Sequence, residues 1–133
     1  MISALDSSVL LDLVMGDARF GPASTVVVRR ASAEGHLVVC SAVWAEISAA
    51  YDDPRGAATA LDRMEVELVS DDREVAAMAG TTWRAYRRAG GTRRRVLADF
   101  LIGAHAGVMA DRLVTRDRGF YRSYFEGLTI LEP

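Results

Sequence analysis

Leu97-Ala98-Asp99-Phe100-Leu101-Ile102-Gly103-Ala104-His105-Ala106 mixes large and small apolar residues and opens on a single carboxylate. It reads as a buried helix. An unpaired charge at the edge of such a packed segment is costly, so Asp99 calls for a helix N-terminus, a cation partner or a bound metal. Three more acids stand beside short apolar runs: Asp6 after Ala4-Leu5, Glu46 after Val43-Trp44-Ala45, and Asp117 after Leu113-Val114-Thr115-Arg116. Read together, the four are candidates to meet in space and hold a divalent metal.

Working outward, Ile2–Leu5 reads as a first strand, followed by a short helix over 9–14 that Gly16 ends. Pro22 opens a second helix toward Glu34, although Thr25-Val26-Val27-Val28 carries strand propensity. Gly35 stops it, and 36–40 is an apolar run suited to a buried strand. Ser41 reads as the N-cap of a helix over 42–51, and Asp53-Pro54 starts another through residue 64. A strand over 66–69 precedes a long helix over 73–89, capped by Asp71 or Asp72 and ended by Gly90-Gly91. A polar loop leads to the central helix, 96–109. A fourth strand over 112–115, a helical turn over 120–125 and a last strand over 128–131 follow.

Strands alternating with helices predict an α/β fold with a mainly parallel sheet, and 133 residues suit one domain over 1–133. Such sheets bind ligands at the carboxyl ends of their strands, near the reversal in strand order. Asp6 ends the first strand, and Asp117 lies just past the fourth. Glu46 is early in the helix after the second strand, and Asp99 is in the first turn of its own helix. All four acids therefore belong to one edge of one sheet.

Each acid also has an ordinary explanation. Asp6 caps the next helix in that reading, Asp99 answers the helix macrodipole, and Asp117 with Gly119 makes a turn. Glu46 is the least comfortable, because Ala42, Val43, Ala49 and Ala50 around it are apolar. Oxygen-only ligands would suit Mg²⁺ or Mn²⁺ rather than zinc or copper. His36 and His105 show no ligand spacing.

The net charge of -2 hides an asymmetry. Residues 84–122 hold ten arginines against three acids, whereas residues 1–83 hold six against thirteen. The basic third is either a solvated face or a nucleic-acid surface. The complete absence of lysine argues against phospho-accepting receiver domains and haloacid-dehalogenase phosphatases, which rely on one near the phosphate. Asp6-Ser7-Ser8-Val9 is not a glycine-rich phosphate loop, and no Ser-His-Asp or Cys-His arrangement is signalled. Cys40 stands alone, so no intrachain disulfide forms, and a reducing cytoplasm is the expected home. No apolar run approaches the roughly 20 residues that span a membrane, and Met1 to Asp6 lacks the basic flank of a signal peptide.

Leu5-Asp6-Ser7-Ser8-Val9-Leu10-Leu11, the Glu46 helix, the segment 98–106 and Leu113-Val114-Thr115-Arg116-Asp117-Arg118-Gly119-Phe120-Tyr121 together resemble the PIN-domain ribonucleases. They resemble most closely the VapC toxins of type II toxin–antitoxin pairs, along essentially the whole chain. The resemblance implies a three-layer α/β/α sandwich around a mainly parallel sheet. It carries over Asp6, Glu46, Asp99 and Asp117 as the acidic metal cluster, with Thr115 and Ser8 as supporting hydroxyls. Some relatives have a further acid or amide where this chain has Gly119, which leaves one or two ions per site open. Homodimers and a small antitoxin that wraps the toxin and blocks its site are also implied.

The expected chemistry is RNA hydrolysis with Mg²⁺ or Mn²⁺, leaving a 5′-phosphate and a 3′-hydroxyl. Arg87, Arg88, Arg93, Arg94, Arg95, Arg116, Arg118 and Arg122 are the candidates for phosphate contact, and Tyr86, Phe120 and Tyr121 for stacking on bases, with core or rim packing the better reading of Phe120. Two rivals remain: a non-catalytic acidic module that binds a basic partner protein, and a DNA-directed nuclease of the same fold.

Overall fold

The computed structural model describes residues 1–92 and 95–133; the candidates Arg93 and Arg94 lie outside the described residues. The apolar runs become five strands: Ile2–Leu5 (β1), His36–Val39 (β2), Val66–Leu68 (β3), Arg112–Val114 (β4) and Ile130–Leu131 (β5). All neighbours pair in parallel, in the order β3-β2-β1-β4-β5. Parallel neighbours need crossovers, and among the described residues seven helices supply them: Ser7–Val14 (α1), Gly21–Glu34 (α2), Ser41–Ser48 (α3), Pro54–Arg63 (α4), Arg73–Arg88 (α5), Leu97–Met109 (α6) and Arg118–Tyr124 (α7). Helices on both faces of the sheet make the expected three-layer α/β/α sandwich.

From β1 the chain adds β2 and β3 on one flank, then returns to pair β4 on the other. The order therefore reverses between β1 and β4, where Leu5 lies opposite Val114. The ladder runs one residue further, because the Asp6 N–H donates to the Val114 carbonyl at 3.0 Å. Asp6 and Thr115 thus leave the sheet side by side at its switch point, where α/β sheets open a crevice.

The segment Thr25 to Val28 is helical, as read, because burying Val27 and Val28 against the core outweighs local strand propensity. Other elements differ from the sequence reading in detail. Cys40 rather than Ser41 is the N-cap residue of α3, which stops at Ser48 rather than 51. Asp72, not Asp71, caps α5 by accepting from the Val75 N–H at 2.9 Å. The turn read over 120–125 is α7, which begins two residues earlier, with Asp117 at its N-cap position.

The central stretch is buried as read: Phe100, Ile102, Gly103, Ala104, His105 and Ala106 of α6 all lie in the core. At Gly103 a Cβ would come within 2.3 Å of the Phe125 ring, so only glycine allows that approach. His105 is a packed residue, its Nε2 2.9 Å from the Val69 carbonyl. Tyr86, Phe100, Phe120 and Tyr124 interlock at centroid distances of 5.3–5.5 Å, tying α5, α6 and α7 together. Phe120 is buried, in line with core packing; Tyr86 and Tyr121 are buried too, which corrects their reading as base-stacking residues: their rings are spent on the core.

Candidate metal centre

Asp6 occupies the N-cap position of α1 but makes no side-chain capping bond. Its carboxylate is only 5% exposed and is met by hydroxyls instead: Thr115 Oγ1 donates at 2.5 Å, Ser8 Oγ at 3.0 Å and Ser7 Oγ at 3.4 Å. None of these partners carries a positive charge. Burial pushes the Asp6 pKa up; the Thr115 and Ser8 hydroxyls pull it back, and the Asp117 charge adds to the rise.

Asp99 lies in the first turn of α6, and its Oδ2 accepts from the Val96 N–H at 3.3 Å. Its ordinary role at the helix start is therefore real. Burial nevertheless raises its pKa, opposed by the Val96 N–H and Arg95 and reinforced by the charges of Asp6 and Asp117. The phenol of Tyr121 is also pushed up, first by burial and then by Asp6, Asp99 and Asp117 together. These three acids share one neighbourhood at the switch point.

Asp117 is held from two sides. Its N–H donates to Thr115 Oγ1 at 2.9 Å, so a single hydroxyl links it to Asp6. Its carboxylate pairs with Arg95, whose guanidinium also lies over the Phe120 ring, 4.3 Å from the centroid. Glu46 sits half-buried on α3, a helix packed against both α1 and α6, and has no hydrogen-bond or ionic partner among the described residues.

Among the described residues, no three His, Cys, Asp or Glu side chains stand close enough to cage a metal ion as they are. The reason is local: Arg95 draws Asp117, and the α6 N-terminus draws Asp99. The donor chemistry nonetheless fits a hard divalent cation. Asp6 and Asp99, raised first by burial, and Asp117 beside them form an oxygen-only set that Mg²⁺ or Mn²⁺ would neutralise.

The structure sorts the arginines. Arg95 is engaged by Asp117, Arg116 by Asp12, and Arg118 by Glu132 at 2.5 Å. Arg87 lies over Trp83 at 5.3 Å, while Arg88 and Arg122 are exposed. Sequence reasoning passed over Asp12, which is buried in α1 among Val9, Leu10 and Leu13. The signal that singled out Glu46, an acid on an apolar helix, was equally present there.

No curated protein matches the chain. Solved structures do, at low identity. VapBC-1 from nontypeable Haemophilus influenzae aligns with a TM-score of 0.75 at 16% identity, over 99% of this chain and 98% of that one. VapBC2 from Rickettsia felis, bound to a DNA fragment from its promoter, aligns at 0.70 and 17%, over 99% and 98%. FitAcB from Neisseria gonorrhoeae aligns at 0.62 and 16%, over 98% and 96%. Such identities establish a shared fold only, but the PIN domain family model matches residues 4–126. With the match spanning nearly the whole sequence, and Asp6 and Asp117 both inside it, this chain belongs to the PIN-domain family.

Proposed function

We propose that the chain is a metal-dependent endoribonuclease and the toxin of a toxin–antitoxin pair. The observation that carries this reading is Asp6: a buried carboxylate with only uncharged partners, at the switch point, beside two further acids. A charge so placed destabilises the native state unless a cation joins it. Asp6, Asp99 and Asp117 would hold one or two Mg²⁺ or Mn²⁺ ions. When bound, such an ion lowers the pKa of water and stabilises the departing oxygen of a phosphodiester.

The chain's own residues supply the rest. Thr115 and Ser8 fix Asp6 by both donating to its Oδ2. Glu46, without a partner among the described residues, is left to orient the attacking water and accept its proton. Water attack makes a 5′-phosphate and a 3′-hydroxyl. Phosphate contacts fall first to Arg87, Arg88 and Arg122, whose charges are not engaged by an acid among the described residues. The similarity to VapBC and FitAcB assemblies supports an antitoxin partner, and a homodimer is proposed from the same resemblance. Among the described residues, no helix is long and apolar enough to cross a membrane.

Incubating the purified chain with structured RNAs in Mn²⁺ or EDTA tests the reading. Cutting in Mn²⁺ that EDTA and Asp99→Asn abolish is the expected result. A folded chain that cuts nothing in any metal overturns it in favour of a binding module. Preference for single-stranded DNA would instead identify a DNA-directed nuclease.

A further inference from the structure

Asp12 is a buried acid that the proposed chemistry leaves unused, at 3% exposed. Its Oδ2 accepts from Ser24 Oγ at 2.6 Å and from Arg116 Nε at 2.7 Å, and its Oδ1 accepts from Arg116 Nη2 at 3.0 Å. The guanidinium is thus gripped by both prongs. It also lies over the Phe20 ring, 4.0 Å from the centroid. Paired charges of this geometry are strong and directional, and breaking one side leaves the other buried and uncompensated.

Arg116 stands between two residues of the acidic centre. Thr115 donates to Asp6, and the Asp117 N–H donates back to Thr115. Beyond β4 this turn has lost most of its ladder. What steadies it is the Thr115 N–H on the Leu131 carbonyl at 3.1 Å, the Arg116 N–H on Ser8 Oγ at 3.3 Å, and the Arg116 side chain itself. Of these three only the last reaches a buried anchor, as the Thr115 hydroxyl does on Asp6. The same grip also decides where a positive charge goes. A released Arg116 would have Asp6, which has no cation partner, to pair with, and would compete with Arg95 for Asp117.

We propose that Asp12 is a positioning residue for the metal centre: its two-pronged hold on Arg116 fixes the Thr115-Arg116-Asp117 turn against Asp6 and keeps the Arg116 charge off the carboxylates. The role rests on the reading of Asp6, Asp99 and Asp117 as metal ligands. Asp12 touches neither metal nor substrate in it, and acts through Arg116 alone. Ser24 shares Asp12 but belongs to α2, outside the turn, so losing its hydroxyl weakens the core and leaves the grip in place.

The test measures Mn²⁺ affinity calorimetrically on the metal-stripped full chain, with thermal melting alongside, for Asp12→Asn, Arg116→Lys and Ser24→Ala. Asp12→Asn and Arg116→Lys are expected to weaken Mn²⁺ binding by about tenfold or more, as loss of an outer-shell partner does. Ser24→Ala is expected to lower the melting temperature and bind Mn²⁺ as the unaltered protein does. Arg116→Lys keeps a positive charge opposite Asp12, so it carries the test if Asp12→Asn does not fold. Unchanged affinity in folded Asp12→Asn or Arg116→Lys, or equal weakening in Ser24→Ala, overturns the proposal and makes Asp12 a core strut. If the unaltered chain itself binds no Mn²⁺, the metal centre falls and this role with it; binding there with no change in the variants sinks only the positioning role.

Discussion

At the amino ends of β1 and β4, Arg112 donates to Ser3 Oγ at 2.8 Å and pairs with Glu34, which Arg30 also holds at 3.0 Å. Beside them Asp111 accepts from the Ile2 N–H at 2.6 Å. At the carboxyl ends of the same two strands, Asp6 has hydroxyls for company, and one arginine, Arg95, serves Asp117 and Asp99. Charges cancel at one end and accumulate at the other, although identical strands carry both. The balanced end holds the sheet together. The unbalanced end costs stability, and such a cost persists where a site needs it.

The sharpest way to break this contrast is at the unbalanced end. Asp99→Asn is expected to lower the initial rate of RNA cleavage in Mn²⁺ at least about a hundredfold, with the fold intact by circular dichroism. Arg112→Ala attacks the balanced end instead. It leaves Ser3 without its donor and Glu34 with Arg30 alone, and urea unfolding should show a loss of about 2 kcal/mol, below the fully buried range because Glu34 is 37% exposed and keeps one cation. Its Mn²⁺ affinity should match that of the unaltered chain.

Asp6→Asn should do the reverse, raising the melting temperature of the metal-free protein at neutral pH while removing its response to Mn²⁺. A carboxyl whose pKa is raised on folding holds its proton more tightly in the native state. The native state therefore gains stability on acidification and loses it as pH climbs from the ordinary carboxylate range through the raised value. The advantage of Asp6→Asn should accordingly shrink to nothing as the pH falls through that window in a melting series. Asp17, Glu34 and Asp53 shift the opposite way through their hydrogen-bond donors, but they cancel in the comparison of the two proteins. The smallest effect belongs to the surface: Arg122→Gln should weaken RNA binding a few-fold and reduce the salt slope by about one.

The strand–helix alternation was legible because each apolar run here is short and bounded by glycine, proline or a capping acid. So was the clustering at one sheet edge of Asp6, Asp99 and Asp117, since strand ends and first helical turns follow from the order of elements alone. What the sequence hid depends on which partner each charge finds in three dimensions. Arg116 and Arg118 looked like phosphate contacts until Asp12, 104 positions away, and Glu132 claimed them. Tyr86 and Tyr121 are amphipathic rings whose burial is decided by the meeting of α5, α6 and α7, not by their neighbours in sequence. Asp12 carries the same local mark as Glu46, an acid on an apolar helix; its partners Ser24 and Arg116 come from distant parts of the chain and leave no trace beside it.

Thr115 reaches Asp6 across 109 positions of chain. Asp6, Glu46 and Asp99 are all synthesised before the strand that brings Thr115 and Asp117 to them, and contacts of such long range form only when most of the chain is available to fold. A growing polypeptide therefore carries three of the four acids with nothing to assemble them. For an enzyme that cuts RNA, as proposed above, this ordering leaves the acidic centre unassembled until β4 has been made.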